Sequence, residues 1–150
     1  MRYELSVSCK GLLNECITQT SVDFQALRVM APSVDVAYED FAMFQSDKEA
    51  FLIQLRSELD QFYASRPAIV ESYDMNGEEV LLTINIKREL IPNSLAFILK
   101  DFLKVAILRW WYMGRNERYY DIYSMQYGVA LSKLDSMSRT TLAKRPYNYI

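Results

Sequence analysis

The longest apolar stretch of the chain runs from residue 93 to residue 113, where four charged side chains form only a thin polar strip. A helix that is apolar on nearly every side is buried on most sides. A membrane span is the alternative, but each charge within a span costs about 2.5–3.5 kcal/mol. We therefore predict a buried central helix, capped by Asn93 or Ser94 and ended by Gly114.

A second, amphipathic helix is predicted directly after a tight turn, with Asn116 as its cap and Ser138 near its end. Its apolar and aromatic residues recur at alternating steps of three and four, which aligns them on one helix face. They are Tyr120, Tyr123, Tyr127, Ala130, Leu134 and Met137. Charged and hydroxyl side chains occupy the opposite side. This pattern predicts that one face packs on the central helix and the other meets water.

Strict alternation of apolar and polar residues occurs twice. From Arg2 to Lys10 it predicts a half-buried strand, which Gly11 ends. From Val80 to Lys87 it predicts a second strand. The pair Asn76-Gly77 suits a hairpin turn, so the arm from Ala68 to Tyr73 is a candidate partner for this second strand.

The region between the two predicted strands is less regular. Leu12 to Ile17 favours one or two short helical turns, and residues 18–42 show no clear period and contain Pro32, so we interpret them as an irregular connector. The sequence Ser46-Asp47-Lys48-Glu49 then predicts a capping box, with Ser46 as the cap. The helix that follows extends to about Ala64. Its predicted buried stripe is Phe51, Leu55, Leu59 and Phe62.

These elements predict a single α+β domain, mainly α, over residues 1–150. A buried central helix packs with two or more amphipathic helices, and a small β element and extended terminal arms complete it. Half of the 150 residues are apolar, as in ordinary globular proteins. The net charge of −2 gives no general attraction to nucleic acid or membrane.

Candidate chemistry is sparse. The two cysteines, Cys9 and Cys16, occur in a chain without histidine, which fits neither a zinc site nor a disulfide framework and favours a reduced intracellular environment. The alternation at the N-terminus argues against a signal peptide. Nucleophile–histidine pairs and glycine-rich phosphate loops are absent from the sequence. We therefore predict no catalytic residue, no cofactor, no metal and no enzymatic activity.

Several charged residues have a structural and a functional interpretation. The carboxylates Asp23, Asp35, Glu39 and Asp40 are interpreted as parts of a solvated loop or helix start. Lys100 and Lys104 lie one helical turn apart. They form either a polar strip that reaches water or a carboxylate such as Asp101, or a contact with a partner.

Candidate interface residues lie at two places. Trp110 and Trp111 cannot face the same way on a helix, so one belongs to the core and the other lies nearer a surface, where tryptophan is enriched in interfaces. The last twelve residues, 139–150, combine basic and aromatic side chains without an acid and predict a docking arm. Its candidate interface residues are Arg139, Lys144, Arg145, Tyr147 and Tyr149.

The part of the chain from Ile91 to Ile150 resembles a family of small proteins that Bacteroidetes phages and prophages encode among their head and tail structural genes. The resemblance rests on element order and on short matches. These are Ser94-Leu95, Arg109-Trp110-Trp111-Tyr112, Asn116-Glu117, Tyr120, Leu134 and Lys144-Arg145-Pro146. The chain departs from the family where Tyr147-Asn148-Tyr149 replaces further basic residues.

The resemblance implies a head–tail connector, or adaptor ring, subunit, with a crAss-like phage as one candidate source. Its implied partners are further copies of itself in a ring, the portal protein, and other connector or tail proteins. DNA in the channel is a further implied partner. The implied location is the virion, with the host cytoplasm during assembly. The alternative is a nucleic-acid-binding module that uses the basic, tyrosine-rich arm, whose affinity would fall steeply with salt.

Overall fold

The protein has an α+β fold dominated by helices, and the computed structural model describes residues 2–30, 41–87 and 92–138. Four α-helices and a three-stranded sheet lie within these ranges. In chain order the elements are β1 (Arg2–Ser8), α1 (Cys9–Met30), a 3-10 turn (Phe41–Gln45), α2 (Lys48–Ser65), β2 (Val70–Met75), β3 (Glu79–Asn85), α3 (Pro92–Tyr112) and α4 (Glu117–Ser138). The predicted fold class is confirmed.

The sheet is antiparallel with the order β1-β3-β2. Leu5 pairs with Leu82 and Val7 with Val80, so the apolar side chains of both alternating stretches lie on one buried face. Between β2 and β3, Gly77 has a φ of +89°, which explains the glycine at this turn. Both predicted strands and their hairpin are confirmed, although β2 extends to Met75 into the predicted turn.

Helix α3 is the centre of the protein. It packs against α1, α2, α4 and β1, and the side chains of Leu99, Phe102, Leu103 and Leu108 are almost completely buried. The buried central helix is therefore confirmed. Its predicted cap is wrong, because α3 already begins at Pro92 and includes Asn93 and Ser94. Proline suits the first helical position, where its missing N–H costs nothing.

Helix α4 forms an antiparallel hairpin with α3. Gly114 has a φ of +79° in the connecting turn, and the Asn116 side chain accepts a 3.0 Å hydrogen bond from the backbone N–H of Tyr119. The predicted turn and cap are confirmed. So is the buried stripe of α4, in which Tyr123, Leu134 and Met137 are each at most 5% exposed.

The helical turns predicted for Leu12 to Ile17 are part of a longer helix, α1, which spans residues 9–30. The irregular connector predicted from residue 18 is therefore wrong over residues 18–30. Gly11 does not end regular structure. Its N–H donates to the Ser8 hydroxyl at 3.1 Å, which caps the start of the helix. The apolar period was hard to detect because Thr20 and Asp23 occupy buried positions on α1. Residues 31–40 of the predicted connector lie outside the described residues.

Helix α2 matches its predicted bounds and buried stripe, but its cap lies one residue later. The Asp47 carboxylate accepts a 3.2 Å hydrogen bond from the N–H of Ala50. The Ser46 hydroxyl donates instead to the carbonyl of Met43 at 2.9 Å. The 3-10 turn before α2 brings the Met43 carbonyl within reach of Ser46, so the helix takes the next suitable residue as its cap.

Candidate association surface

The two tryptophans at the end of α3 differ in burial. Trp111 is completely buried, with its ring 5.0 Å from that of Phe41, whereas Trp110 is half-buried and lies 6.1 Å from Phe44. The prediction that one tryptophan lies in the core and the other nearer the surface is confirmed. Since Trp111 has no exposed surface in a single chain, only Trp110 can offer part of its ring to a partner. Its interface role stays a prediction.

A buried carboxylate connects α1 to the α3–α4 hairpin. The Asp23 side chain is only 5% exposed and accepts hydrogen bonds from the hydroxyls of Tyr112 at 2.8 Å and Tyr123 at 2.7 Å. The Tyr119 hydroxyl donates to the Asp23 backbone carbonyl at 3.1 Å, and Gln19 donates to the other carboxylate oxygen at 3.0 Å. The interpretation of Asp23 as a solvated loop residue is therefore wrong.

Tyr119 and Tyr123 are held in their neutral, donating form. Burial, together with the hydrogen bond to Asp23, raises the pKa of Tyr123 far above its usual value. Burial and the nearby Asp23 charge also raise the pKa of Tyr119. A carboxylate surrounded by donors that keep their protons is suited to joining elements rather than to transferring protons. Asp35, Glu39 and Asp40 lie outside the described residues.

A second buried carboxylate, Glu58, lies on α2. It is 5% exposed and accepts a 3.1 Å hydrogen bond from Gln54 on the same helix. Burial raises its pKa, and that hydrogen bond and the charge of Arg109 partly counteract the rise. The Arg109 guanidinium lies 4.0 Å over the ring of Tyr127, so part of the polar strip of α3 faces α4 rather than water.

The lysines of the polar strip are also partly used within the chain. Lys100 forms an ion pair with Glu15 of α1, whereas the sequence suggested Asp101 as one carboxylate within reach. Asp101 is exposed, and Lys104 is half-buried. An additional contact of these lysines with a partner remains a prediction.

An apolar groove lies on the outer side of the α3–α4 hairpin, with a volume of about 290 Å³. Three large apolar side chains around it are strongly exposed: Phe97 (69%), Met125 (74%) and Val129 (65%). Asp101 and Lys133 line it from opposite helices. Exposed apolar side chains gathered at one place mark association sites more often than single ones do. We call this feature the hairpin groove.

Sequence periodicity did not reveal the hairpin groove, because Met125 and Val129 form a second apolar stripe on the face of α4 that we expected to be polar. Together with Ile122, which is 37% exposed, they follow steps of three and four residues along α4. The exposure of Phe97 was hidden in an apolar stretch that we interpreted as buried throughout. Only the packing of the two helices distinguishes these residues from the core.

A second concavity, of about 440 Å³, lies between the start of α1, the start of α2 and the β2–β3 turn. Its charged residues, Lys10, Lys48, Glu78 and Glu79, are all exposed. Acid–base catalysis typically uses charged groups that are at least partly removed from water. The geometry of this concavity therefore offers no support for a reaction centre.

The described part of the chain comprises residues 2–30, 41–87 and 92–138. These ranges contain no cluster of three or more His, Cys, Asp or Glu side chains able to hold a metal, and no helix there is long and apolar enough to cross a membrane. Cys9 and Cys16 are free and buried, and burial raises the pKa of both thiols, that of Cys16 to about 12. The predicted arm residues Arg139, Lys144, Arg145, Tyr147 and Tyr149 lie outside the described residues.

No protein-family model, curated protein or solved structure matches this chain.

Proposed function

We propose that this protein is a structural subunit that acts by association, and that it forms a multi-copy ring joining a phage portal or head to the tail. The observation that carries the proposal is the hairpin groove, where Phe97, Met125 and Val129 are each at least 65% exposed. A monomer gains nothing from leaving three large apolar side chains in water at one site. Covering them in an assembly would remove apolar surface from water, which favours association.

The buried polar groups support the same proposal. Asp23 and Glu58 are the two buried carboxylates among the described residues, and both bond to side chains of the chain itself. Asp23 joins α1 to the α3–α4 hairpin, and neither carboxylate lines the two concavities described above. A rigid body with an apolar outer groove is what a ring subunit requires. The phage connector role, with the portal and tail proteins as partners, comes from the family resemblance of residues 91–150.

The test is the assembly state of the full chain and its presence in particles. Native mass spectrometry and electron microscopy of the purified protein should show a closed ring, and proteomics of virions should find it in several copies per particle. A strictly monomeric protein that is absent from particles would contradict the proposal. Salt-sensitive binding to DNA by such a monomer would favour the nucleic-acid alternative.

A matched pair of variants separates the groove from general surface effects. Met125→Lys places a charge in the hairpin groove and should weaken assembly, whereas Ile53→Lys changes a residue of α2 that is 65% exposed and lies outside the groove. Both variants should keep the helical circular dichroism of the unmodified protein. Equal loss of assembly in both would mean that the groove has no special part in it.

A further inference from the structure

The C-terminal end of α4 lies close to the hairpin groove of the same copy. Tyr112 and Tyr119 lie side by side near the turn, with ring centroids 5.1 Å apart. Farther along the same antiparallel pair, Phe102 lies 5.4 Å from Tyr127. The C-terminal end of α4 is therefore beside the N-terminal end of α3. Phe97 and Lys133 line the groove near this end.

The last turns of α4 are fixed to the rest of the protein. The carboxylate of Asp135 accepts hydrogen bonds of 2.8 and 3.3 Å from the Arg66 guanidinium at the end of α2. Met137, two residues later, is 5% exposed. The last turns of α4 are thus held by two contacts.

The segment after α4 combines basic side chains with large aromatic and aliphatic ones. It carries three large side chains, Tyr147, Tyr149 and Ile150, after the basic pair Lys144-Arg145. The groove presents exposed apolar side chains, with the exposed carboxylate of Asp101 on its α3 side and the exposed ammonium of Lys133 on its α4 side. The aromatic side chains of the segment are complementary to the apolar ones of the groove, and its basic pair is complementary to the α3 side, where Asp101 lies.

The lengths also agree. Twelve residues in extended form span roughly 40 Å. The groove extends along α3 from Phe97 to Val105, which at the rise of an α-helix is about 12 Å. The segment is therefore long enough to leave one copy and to fill the groove of the next with its final residues.

We propose that the hairpin groove binds residues 144–150 of a neighbouring copy of this chain, with the aromatic side chains on Phe97, Met125 and Val129 and the basic pair beside Asp101. The inference rests on the proposed function, because a segment that leaves one copy and binds a different surface of the next is a head-to-tail contact. Such contacts close into rings when the rotation between copies allows it.

The first experiment locates the segment by photo-crosslinking. The full chain carries benzoylphenylalanine in place of Phe97 and is assembled together with a ¹⁵N-labelled copy. We expect crosslinks from position 97 to residues 144–150 that join labelled to unlabelled chains. The same amino acid in place of Ile53 is the control, and we expect no crosslink to that segment. Crosslinks confined to one copy, or none to the segment, overturn the inference.

The second experiment reverses the charge of each of the two charged residues that line the groove. Asp101→Lys removes the carboxylate near the basic pair and should weaken self-association about tenfold at low salt, by sedimentation analysis. Lys133→Asp adds a carboxylate on the other side of the groove and should strengthen it. Asp121→Lys, an exposed change outside the groove, is the control for net charge. If Asp101→Lys and Lys133→Asp weaken self-association equally, the inference is overturned.

The outcomes separate this inference from the proposed function. If rings form and the segment crosslinks elsewhere, or the charge reversals act alike, the groove assignment is wrong and the ring remains. If the full chain stays monomeric and is absent from particles, the proposed function and the groove assignment both fail.

Discussion

The hydroxyl of Tyr123 donates a 2.7 Å hydrogen bond to the carboxylate of Asp23, one hundred residues earlier in the chain. The same carboxylate oxygen accepts a bond from Tyr112, whose ring stacks on that of Tyr123 at a centroid distance of 5.6 Å. Three helices, α1, α3 and α4, therefore meet at one buried acid.

Replacing this acid should destabilise the protein. Asp23→Ala leaves the hydroxyls of Tyr112 and Tyr123 without their acceptor, so we expect the free energy of unfolding to fall by about 2–4 kcal/mol. Urea denaturation followed by circular dichroism measures it. Asp121→Ala, on the exposed face of α4, is the control and should change stability by less than about 0.5 kcal/mol. A similarly small effect of Asp23→Ala would show that the cluster contributes little.

Glu58 should make stability depend on pH. Burial raises its pKa in the folded protein, so the folded state binds this proton more tightly than the unfolded state does. The contribution of Glu58 to the free energy of unfolding is therefore fully present below its pKa in the unfolded state. It is lost as pH rises through its raised pKa in the folded state. We expect Glu58→Gln to remove this dependence and to stabilise the protein at neutral pH. Denaturation midpoints from pH 4 to pH 8 test this.

The control for Glu58 lies on the same helix. Glu49 is exposed in the first turn of α2, so Glu49→Gln should leave the pH dependence of the unmodified protein in place. If Glu58→Gln and Glu49→Gln give the same profile, another group causes the dependence.

The two tryptophans should separate folding from association. Trp111→Ala empties a completely buried site between Phe41 and Phe44 and should cost about 3–5 kcal/mol. Trp110→Ala removes a half-buried ring and should cost less. Thermal unfolding shows which variant loses more stability. A larger loss for Trp110→Ala than for Trp111→Ala would contradict the packing described above. Weaker assembly of a well-folded Trp110→Ala protein would support the predicted interface role.

Deletion of residues 139–150 should leave the fold intact and impair assembly. The core of α4 is completed by Leu134 and Met137, which are buried before this segment begins. We therefore expect an unchanged helical spectrum and melting temperature, with loss of the ring in native mass spectrometry. Loss of folding in the shortened chain would show that residues 139–150 belong to the core.

Hydrophobic periodicity and turn-forming residues predicted the elements whose buried positions are mostly apolar. Both alternating strands belong to this group, because their buried positions are filled by aliphatic residues. The stripe of α2 was predicted from its four apolar positions, although Glu58 is buried next to them. The pair Asn76-Gly77 and the cap Asn116 were recognisable since they satisfy backbone groups locally. Such signals need no knowledge of the tertiary structure.

Helix α1 was missed for the opposite reason. Thr20 and Asp23 lie inward and are polar, and their partners are supplied either by the helix itself or by tyrosines about a hundred residues away. No local pattern shows that a carboxylate will meet two distant hydroxyls. The hairpin groove was missed for the same reason. Whether apolar residues such as Phe97 and Val129 are buried or exposed depends on whether a third element covers them.

The two cysteines have a practical consequence for studying assembly. Cys9 and Cys16 are at most 4% exposed, and their raised pKa values keep both thiols protonated at neutral pH. Maleimide dyes react with exposed thiolates. A single cysteine introduced on the surface can therefore be labelled without first removing the native ones, so fluorescence energy transfer between copies can follow ring formation in real time.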